Sequence, residues 1–334
     1  MSGKLSIDLL EKYVFNRIGI RDPKVLVGPM YGEDAAIIDL DDKVLIVHVD
    51  PITAAEDLIG WLAVHIASND IAVRGAKPRW LLPVLYLPVD SSENLLDKIT
   101  AQIDKAAKEI HAMIVGGHSE YTPGIERPLI SMTAIGIAPK NRYVVTSGAK
   151  PGDIVLMTKY AGLEGTAIIA TDFKDILLSK GIPKNLIDRA SKFIEMISVI
   201  KEALALAEAK LANSMHDPTE GGILGGVAEI AYASNVKIEI WEESIPISNE
   251  TEIICQALNL DPLKLISSGV LLATIPKDRV EEALNTIKSI GIPCAVIGKV
   301  GEGIGVIIKR RDGKVEKIPR HVPDEIYRLW NSHQ

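Results

Sequence analysis

Two successive series of β-rich runs, each interleaved with helical stretches, constrain the fold of this chain most strongly. In both series, runs of Val, Ile and Leu alternate with stretches whose apolar residues recur at spacings of three and four, patterns typical of strands and amphipathic helices. The segment between the series, residues 139–152, has two prolines, two glycines and several charges, and predicts a surface crossing. The 334 residues therefore predict an α+β fold with an N-terminal α/β domain at 1–145 and a C-terminal α+β domain at 146–334.

The predicted elements follow from this alternation. Helices are predicted at residues 5–15, 53–73, 91–110, 185–212, 219–234, 249–259 and 278–290. Strands are predicted at residues 35–40, 43–49, 80–88, 112–115, 129–138, 154–158, 236–241, 269–275 and 294–298, with a hairpin at 304–318. The helix at 91–110 has a clear start signal, because Ser91 or Ser92 can cap it.

The balance of charged side chains argues against a general nucleic-acid binder. The chain has 44 acidic and 37 basic residues, a net charge of −7, and only 4% aromatic residues, whereas such binders need basic patches and stacking rings. A small phosphorylated ligand is still compatible, because a local site can oppose the net charge. The two cysteines, Cys255 and Cys294, exclude a disulfide framework and a cysteine-rich metal site.

No stretch of the sequence predicts export or membrane insertion. The first fifteen residues lack the apolar core of a signal peptide, and the longest apolar run, at 80–89, is too short to span a bilayer. We therefore expect a cytoplasmic protein without a membrane partner.

Four acid-bearing motifs in the first half lie at the ends of hydrophobic elements or inside one. They are GEDAA (32–36), HVDP (48–51), SNDIA (68–72) and GGHSE (116–120). Asp70 is the most informative residue, because a carboxylate among Ile and Ala must be paired, hydrogen-bonded or metal-bound if it is buried. Gathered carboxylates repel one another, and divalent cations relieve that repulsion. Taken singly, each motif is also compatible with a turn or with a solvated helix face.

A glycine-containing motif, HDPTEGG, opens a helical run in the second half. Asp217 or Thr219 can cap this helix, and Gly221 and Gly222 would let a ligand approach the N–H groups of the first turn, which favour anions. A plain capped helix is equally compatible with the pattern. The chain has no P-loop, H-E-x-x-H, G-x-S-x-G or Cys-x-x-Cys motif, so it is not a P-loop nucleotidase.

Taken in order, these motifs resemble the aminoimidazole ribonucleotide (AIR) synthase superfamily, whose relatives include thiamine-monophosphate kinase, selenophosphate synthetase and the hydrogenase-maturation protein HypE. The similar stretches are GEDAAIID (32–39), VHVDP (47–51), ASNDIAVRGAKPRW (67–80), IVGGHSEYTPG (114–124), MHDPTEGGILGGVAEIAYASNVKI (215–238) and DPLKLISSGVLLATI (261–275). HDPTEGG and DPLKLISSG are most similar to the HypE branch, and GGHSEYTPGIERP to an archaeal branch of AIR synthase-related proteins.

The resemblance implies a PurM-like α+β fold. Its N-terminal domain would pair its sheet with that of a second subunit, giving a homodimer or a higher homo-oligomer, with ATP held at the cleft and the dimer seam. The resemblance also implies divalent metal, Mg²⁺ or Mn²⁺, on the phosphates. The implied metal ligands are Asp34, Asp50, Asp70, His118 and Glu120, and Asp70 and His118 are the implied catalytic residues. The implied nucleotide-binding residues are Asn69, Gly116, Gly117, Asp217, Thr219, Gly221 and Gly222.

Two departures from the family pattern modify these expectations. His118 stands where relatives have a metal-binding aspartate; because imidazole suits Mn²⁺ better than Mg²⁺, we expect a preference for Mn²⁺ unless His118 only bonds a loop carbonyl. HypE proteins end in a tail with a reactive cysteine, whereas this chain ends in LWNSHQ (329–334). Cys255 and Cys294 lie in apolar runs, so thiocyanate-forming chemistry is not expected.

The resulting functional hypothesis is a metal-dependent enzyme that cleaves or transfers a phosphoryl group of ATP or a related nucleotide, to water or to a small metabolite. One alternative is an ATP-dependent ligase or cyclase like AIR synthase. Another is a nucleotide-binding, HypE-like maturation accessory protein.

Overall fold

Two seven-stranded sheets organise the chain in a computed structural model that describes residues 4–53 and 55–332. In this part of the chain the strands are β1 (Val25–Val27), β2 (Ala36–Leu40), β3 (Lys43–Ile52), β4 (Lys77–Leu87), β5 (Met113–Ile114), β6 (His118–Tyr121), β7 (Leu129–Pro139), β8 (Ile154–Thr158), β9 (Ser214–His216), β10 (Lys237–Trp241), β11 (Leu272–Ile275), β12 (Cys294–Gly301), β13 (Gly305–Lys309) and β14 (Val315–Ile318). The α-helices are α1 (Ile7–Tyr13), α2 (Ile59–Val73), α3 (Glu93–Glu109), α4 (Leu163–Asp172), α5 (Lys174–Ser179), α6 (Lys184–Ala190), α7 (Ile200–Glu208), α8 (Gly222–Ala233), α9 (Asn249–Leu258), α10 (Val280–Ser289) and α11 (Glu325–Ser332).

The first sheet has the strand order β1-β2-β3-β7-β4-β5, and β6 also lies beside β4. β7 is antiparallel to both β3 and β4, whereas β5 and β6 run parallel to β4. Alternate residues of β3 and β7 are buried, because one face of the sheet is covered by α2. The segment at 118–121, which follows the predicted strand at 112–115, is itself the edge strand β6.

Helix α2 lies at the centre of the molecule and is buried on all sides. It is apolar around its whole circumference, as expected for a helix that packs against the first sheet, α3 and α7 at once. Gly136 of β7 permits the close approach, since a Cβ atom there would lie 2.4 Å from Cγ2 of Ile71. The helix predicted at 53–73 begins at Ile59 in the structure, six residues later than predicted. Residue 54 of the predicted helix lies outside the described residues.

The second sheet has the strand order β14-β13-β10-β12-β8-β11-β9. β10 lies between the antiparallel β12 and the parallel β13, and β13 and β14 form the predicted terminal hairpin. The single helix predicted at 185–212 is wrong. It is divided into α6, a 3₁₀ turn at Ser191–Met196 and α7, because the backbone of Ile197 and Val199 leaves the helix to bond the side chain of Asn69.

The strands of the first sheet fall within residues 25–139 and those of the second within 154–318. The hydrophobic core does not divide at that point, since one cluster unites Ile66 of α2 with Ile168 and Ile266. The boundary at 145/146 stays a prediction. Over the described residues, every helix is too short or too polar to traverse a bilayer.

Candidate functional site

A cavity of about 550 Å³ lies between the two sheets, beside the buried face of α2. Among the described residues, its charged lining comprises seven carboxylates against one lysine and two histidines. The carboxylates are Glu33, Asp34, Asp50, Asp70, Asp217, Glu220 and Glu229, and the nitrogen bases are Lys4, His48 and His216. Asp34, Asp50 and Asp70, which the family resemblance implies as metal ligands, all line this cavity.

His48, Asp50 and Asp70 form one group on the cavity wall, which we call the open cluster. His48 and Asp50 are two residues apart on β3 and share a face of the strand, and Asp70 reaches them from α2. Nε2 of His48 lies 3.2 Å from Oδ2 of Asp70 and 4.0 Å from Oδ1 of Asp50. One ligand atom of each residue lies within 4.8 Å of the others. Two carboxylates and an imidazole are a donor set that fits a divalent cation.

The excess of carboxyl groups in and around the open cluster raises the pKa values of Asp70 and His48. Burial raises the pKa of Asp70 well above its ordinary value; His48 opposes this effect, while Asp50, Asp34 and Asp217 add to it. Burial alone would lower the pKa of His48, but Asp70 and Asp50 raise it to about 9. The imidazolium is thus the nearest positive charge to Asp70, and a bound cation would take over that role.

Asn69, next to Asp70 on α2, faces the second half of the chain. Its Nδ2 donates to the carbonyl of Ile197 and to Oδ2 of Asp217, both at 2.9 Å, and its Oδ1 accepts from the N–H of Val199 at 2.9 Å. Burial raises the pKa of Asp217 to about 7, against the opposing hydrogen bond from Asn69. Asn69 is completely buried and therefore holds Asp217 in place from behind the cavity wall.

A second group of charges on the wall, which we call the paired chain, runs from Lys4 to Glu33. Nζ of Lys4 lies 2.8 Å from Oε1 of Glu229, whose Oε2 lies 2.8 Å from Nε2 of His216. Nδ1 of His216 lies 2.7 Å from Oδ1 of Asp34. Burial alone would lower the pKa of His216, but Asp34 and Glu229 raise it to about 10. Each carboxylate here has a cationic neighbour.

Arg74 continues the paired chain beneath the cavity and is fully buried. Its guanidinium lies 2.9 Å from Oε2 of Glu33 and 3.0 Å from Oδ2 of Asp34, and it donates to the carbonyl of Met215. Glu33 also accepts hydrogen bonds from the backbone N–H groups of residues 146 and 147 at 3.0 Å. The paired chain thereby joins the two halves of the molecule.

The structure does not bring the motif at 116–120 to this cavity. His118 and Glu120 lie on the edge strand β6 with side chains 62% and 44% exposed, and they contact each other at 3.1 Å. Gly116 and Gly117 precede them, and a Cβ atom at Gly117 would lie 2.3 Å from the carbonyl oxygen of Pro83. Gly117 is thus required by packing against β4 in this chain.

The predicted capping of the helix after Asp217 is wrong. Gly221 occupies the N-cap position of α8, and Asp217 and Thr219 lie farther upstream, where both line the cavity. The N–H of Gly221 donates to Oδ2 of Asp324 at 2.7 Å, and that of Gly222 donates to the carbonyl of Thr219 at 3.1 Å.

Neither glycine of that motif lines the cavity, and their role in the described chain is close packing. A Cβ atom at Gly222 would lie 2.6 Å from the carbonyl oxygen of Leu265, and one at Gly221 equally close to that of Val322.

Sequence reasoning missed several residues of the cavity wall and of the layer beneath it. His48 carried a usable signal, because it lies two positions before Asp50 in a predicted strand. Arg74 follows Asp70 by one helical turn, so it was a candidate partner on the same side of α2. His216, Glu229 and Lys4 come together only through the tertiary fold, and no local pattern connects them.

Two family models match the chain. The model described as "AIR synthase related protein, N-terminal domain" matches residues 32–138, and the one described as "AIR synthase related protein, C-terminal domain" matches residues 150–309. Together they include every residue of the open cluster.

Individual relatives extend this similarity over nearly the full length. A hydrogenase expression/formation protein of Methanocaldococcus jannaschii is 30% identical over 322 residues, covering 94% of this chain and 90% of the relative. A thiamine-monophosphate kinase of Pyrococcus horikoshii is 31% identical over 300 residues, covering 86% and 88%. The crystal structure of the hydrogenase maturation protein HypE in complex with ATP superposes with a TM-score of 0.74 at 25% identity, covering 90% of this chain and 92% of that one.

Proposed function

Because the chain belongs to the family of AIR synthase related proteins, we propose that it binds ATP in the cavity between its sheets and uses the nucleotide to activate a bound acceptor. The predicted family and the PurM-like α+β fold are confirmed, including the similarity to the HypE branch. The observation that carries the proposal is the excess of carboxylates in the cavity, where His48 is the cation that pairs with Asp70 among the described residues.

Divalent cations account for that excess. The open cluster would hold a cation on the phosphates, with Asp34 nearby and Asp217 steadied by Asn69. When bound, such a cation neutralises the charge that develops on a transferred phosphoryl group. His48 supplies an imidazole nitrogen at the open cluster, so the proposed preference for Mn²⁺ has a basis in the cavity itself and does not depend on His118 alone.

The relatives favour the maturation alternative over a free-standing phosphohydrolase. One named relative is a hydrogenase expression/formation protein, one is a kinase, and the ATP complex is of a hydrogenase maturation protein. None of these names describes a phosphatase. We therefore propose a HypE-like, ATP-using maturation enzyme that transfers a phosphoryl group to its acceptor rather than to water.

We do not expect either Cys255 or Cys294 to be the acceptor of this reaction. Cys255 is buried, and burial raises its pKa to about 12; burial also raises the pKa of Cys294. A thiol with a raised pKa is a poor nucleophile at neutral pH.

We also propose a homodimer formed through the first sheet. The face of that sheet opposite α2 exposes apolar side chains, including Val49 at 55%, and Met113 and Tyr121 at its edge are 67% and 53% exposed. Pairing there would bring His118 and Glu120 of one copy towards the cavity of another. Analytical sedimentation tests this proposal. We expect the wild type to sediment as a dimer and Val49→Arg to sediment as a monomer.

Calorimetric titration of ATP with Mg²⁺, Mn²⁺ or EDTA tests nucleotide binding, and phosphate transfer is followed with candidate acceptors. We expect binding that requires a divalent ion and slow phosphate release in the absence of an acceptor. Absence of ATP binding under all three conditions would refute the proposal, and fast release to water alone would restore the phosphohydrolase hypothesis.

A further inference from the structure

A smaller hollow, which we call the acidic niche, opens beside the main cavity. Its polar lining comprises Asp50, Thr53, Glu164, Thr219, Glu220, Ser268 and Tyr327. Asp50, Thr53, Thr219, Glu220 and Tyr327 also line the main cavity, so the two spaces are continuous. The niche has a volume of about 30 Å³, which is room for one small group.

Two polar atoms of the niche have no well-aligned hydrogen-bond partner in the described part of the chain, although their side chains are close enough for Ser268 to lower the pKa of Glu164. Glu164 lies in the first turn of α4 and is 3% exposed, and Ser268 is completely buried. Among the described residues, neither Oε2 of Glu164 nor Oγ of Ser268 has a hydrogen-bond partner. Buried carboxylate oxygens are nearly always paired, so this pair of atoms points to a ligand that the protein itself does not supply.

The niche carries acid without a compensating base. Glu164, Glu220 and Asp50 line it, and its described lining includes no lysine, arginine or histidine. Burial raises the pKa of Glu164 to about 8, and Glu220 and Asp217 add to this effect while Ser268 opposes it. The remaining lining is largely isoleucine, which excludes water from the carboxyl group.

We propose that the acidic niche binds the primary ammonium group of the acceptor molecule, with Glu164 and Ser268 as its hydrogen-bond partners. This inference rests on the proposed function, because the niche opens into the cavity assigned to ATP. An ammonium group offers three N–H donors and a positive charge in a volume close to that of one water molecule. A neutral amide offers no charge to balance the three carboxyl groups.

Methylammonium chloride is the probe for this site, titrated against the ligand-free protein while the unfolding temperature is recorded. Tetramethylammonium chloride at equal ionic strength is the matched control, since it has the same charge but no N–H donor and is larger than the niche. We expect methylammonium to raise the unfolding temperature of the wild type, and tetramethylammonium to have no such effect.

Glu164→Gln should weaken the methylammonium effect about tenfold or more, because it removes a charge-assisted hydrogen bond. Asp172→Asn, at the other end of α4 and outside the niche, should leave the effect unchanged. If Glu164→Gln does not fold, Ser268→Ala provides the second test and should weaken binding in the same direction.

Three outcomes would overturn the proposal. Equal stabilisation by potassium chloride would indicate a monovalent metal site, equal stabilisation by formamide would indicate a neutral ligand, and no effect of methylammonium would indicate a niche that holds water only. The ATP titration separates this inference from the proposed function: Glu164→Gln should still bind ATP. Wild type that binds ATP but not methylammonium refutes the niche alone.

Discussion

The open cluster and the paired chain border the same cavity but treat charge in opposite ways. In the paired chain, Lys4, His216 and Arg74 each face carboxylates at 2.7 to 3.0 Å, and the pKa of Glu229 falls well below its ordinary range; burial opposes this shift, and Lys4 and His216 produce it. In the open cluster the pKa of Asp70 rises instead, because burial and neighbouring carboxylates outweigh His48. From this difference we infer that the paired chain contributes to the stability of the fold and that the open cluster binds a ligand.

The largest expected effect is a loss of stability when the paired chain is broken. Arg74→Met should lower the free energy of unfolding by about 3–5 kcal/mol, because it leaves Glu33 buried without a cation and removes one of the two cations beside Asp34. Urea unfolding measures this change. Arg189→Met is the matched control, since Arg189 pairs with Glu250 at the surface and should contribute below about 1 kcal/mol. Equal losses of stability in both variants would show that the paired chain contributes no more to stability than a surface ion pair does.

The open cluster should respond in the opposite way. Asp70→Asn should reduce ATP turnover about 100-fold or more, because it removes a cation ligand, while the free energy of unfolding stays constant or rises. Asp153→Asn, a buried carboxylate bonded to Asn213 away from the cavity, should leave turnover unchanged. Asp70→Asn protein with wild-type phosphate transfer would refute the metal role of this residue.

Glu164 extends the comparison to pH, since it too is an acid that has no cationic partner among the described residues. Its carboxyl group ionises near pH 4.5 in the unfolded chain and near 8 in the folded protein, so between these values only the folded state keeps the proton. Raising the pH through this range should therefore lower the stability of the wild type relative to Glu164→Gln. Urea unfolding of both proteins at pH 5 and pH 8 measures this difference. Parallel pH profiles would contradict the assignment.

His118 tests whether the open cluster is completed by a second copy. If it is, turnover should be faster with Mn²⁺ than with Mg²⁺. His118→Asp should lower the ratio of the Mn²⁺ rate to the Mg²⁺ rate severalfold, because it replaces an imidazole by a carboxylate. Steady-state rates with each ion at equal concentration provide the measurement. A ratio that does not move would show that the exposed pair on β6 is no part of the site.

The smallest effect on activity is expected from the cysteines. Cys255→Ser combined with Cys294→Ser should leave turnover per folded molecule unchanged, although the buried hydroxyl at position 255 should lower stability by about 1–3 kcal/mol. Phosphate transfer normalised to folded protein is the readout. Loss of turnover in the folded double variant would revive a thiol mechanism.

Alternation and helical periodicity predicted most strands and the apolar setting of Asp70, because both are local signals. The grouping of Asp34, Asp50 and Asp70 was implied by the family resemblance alone. The sequence could not predict the break between α6 and α7, since that break satisfies Asn69, which is 128 residues away from Ile197. It also gave Gly221 and Gly222 a ligand-binding role, whereas close packing against Leu265 and Val322 explains both. Partners brought together by tertiary structure leave no local pattern.

The anchoring of Glu33 to the backbone at 146–147 restricts how a ligand enters and leaves. A hinge motion that parted the two sheets would separate Glu33 from these buried partners and would therefore be costly. The wall formed by α1 is held far less firmly: in this seven-residue helix only Ile7 is buried, and Glu11 is tied to Arg320 by a surface pair. Local opening of α1 would therefore break fewer buried contacts than a hinge motion of the two sheets.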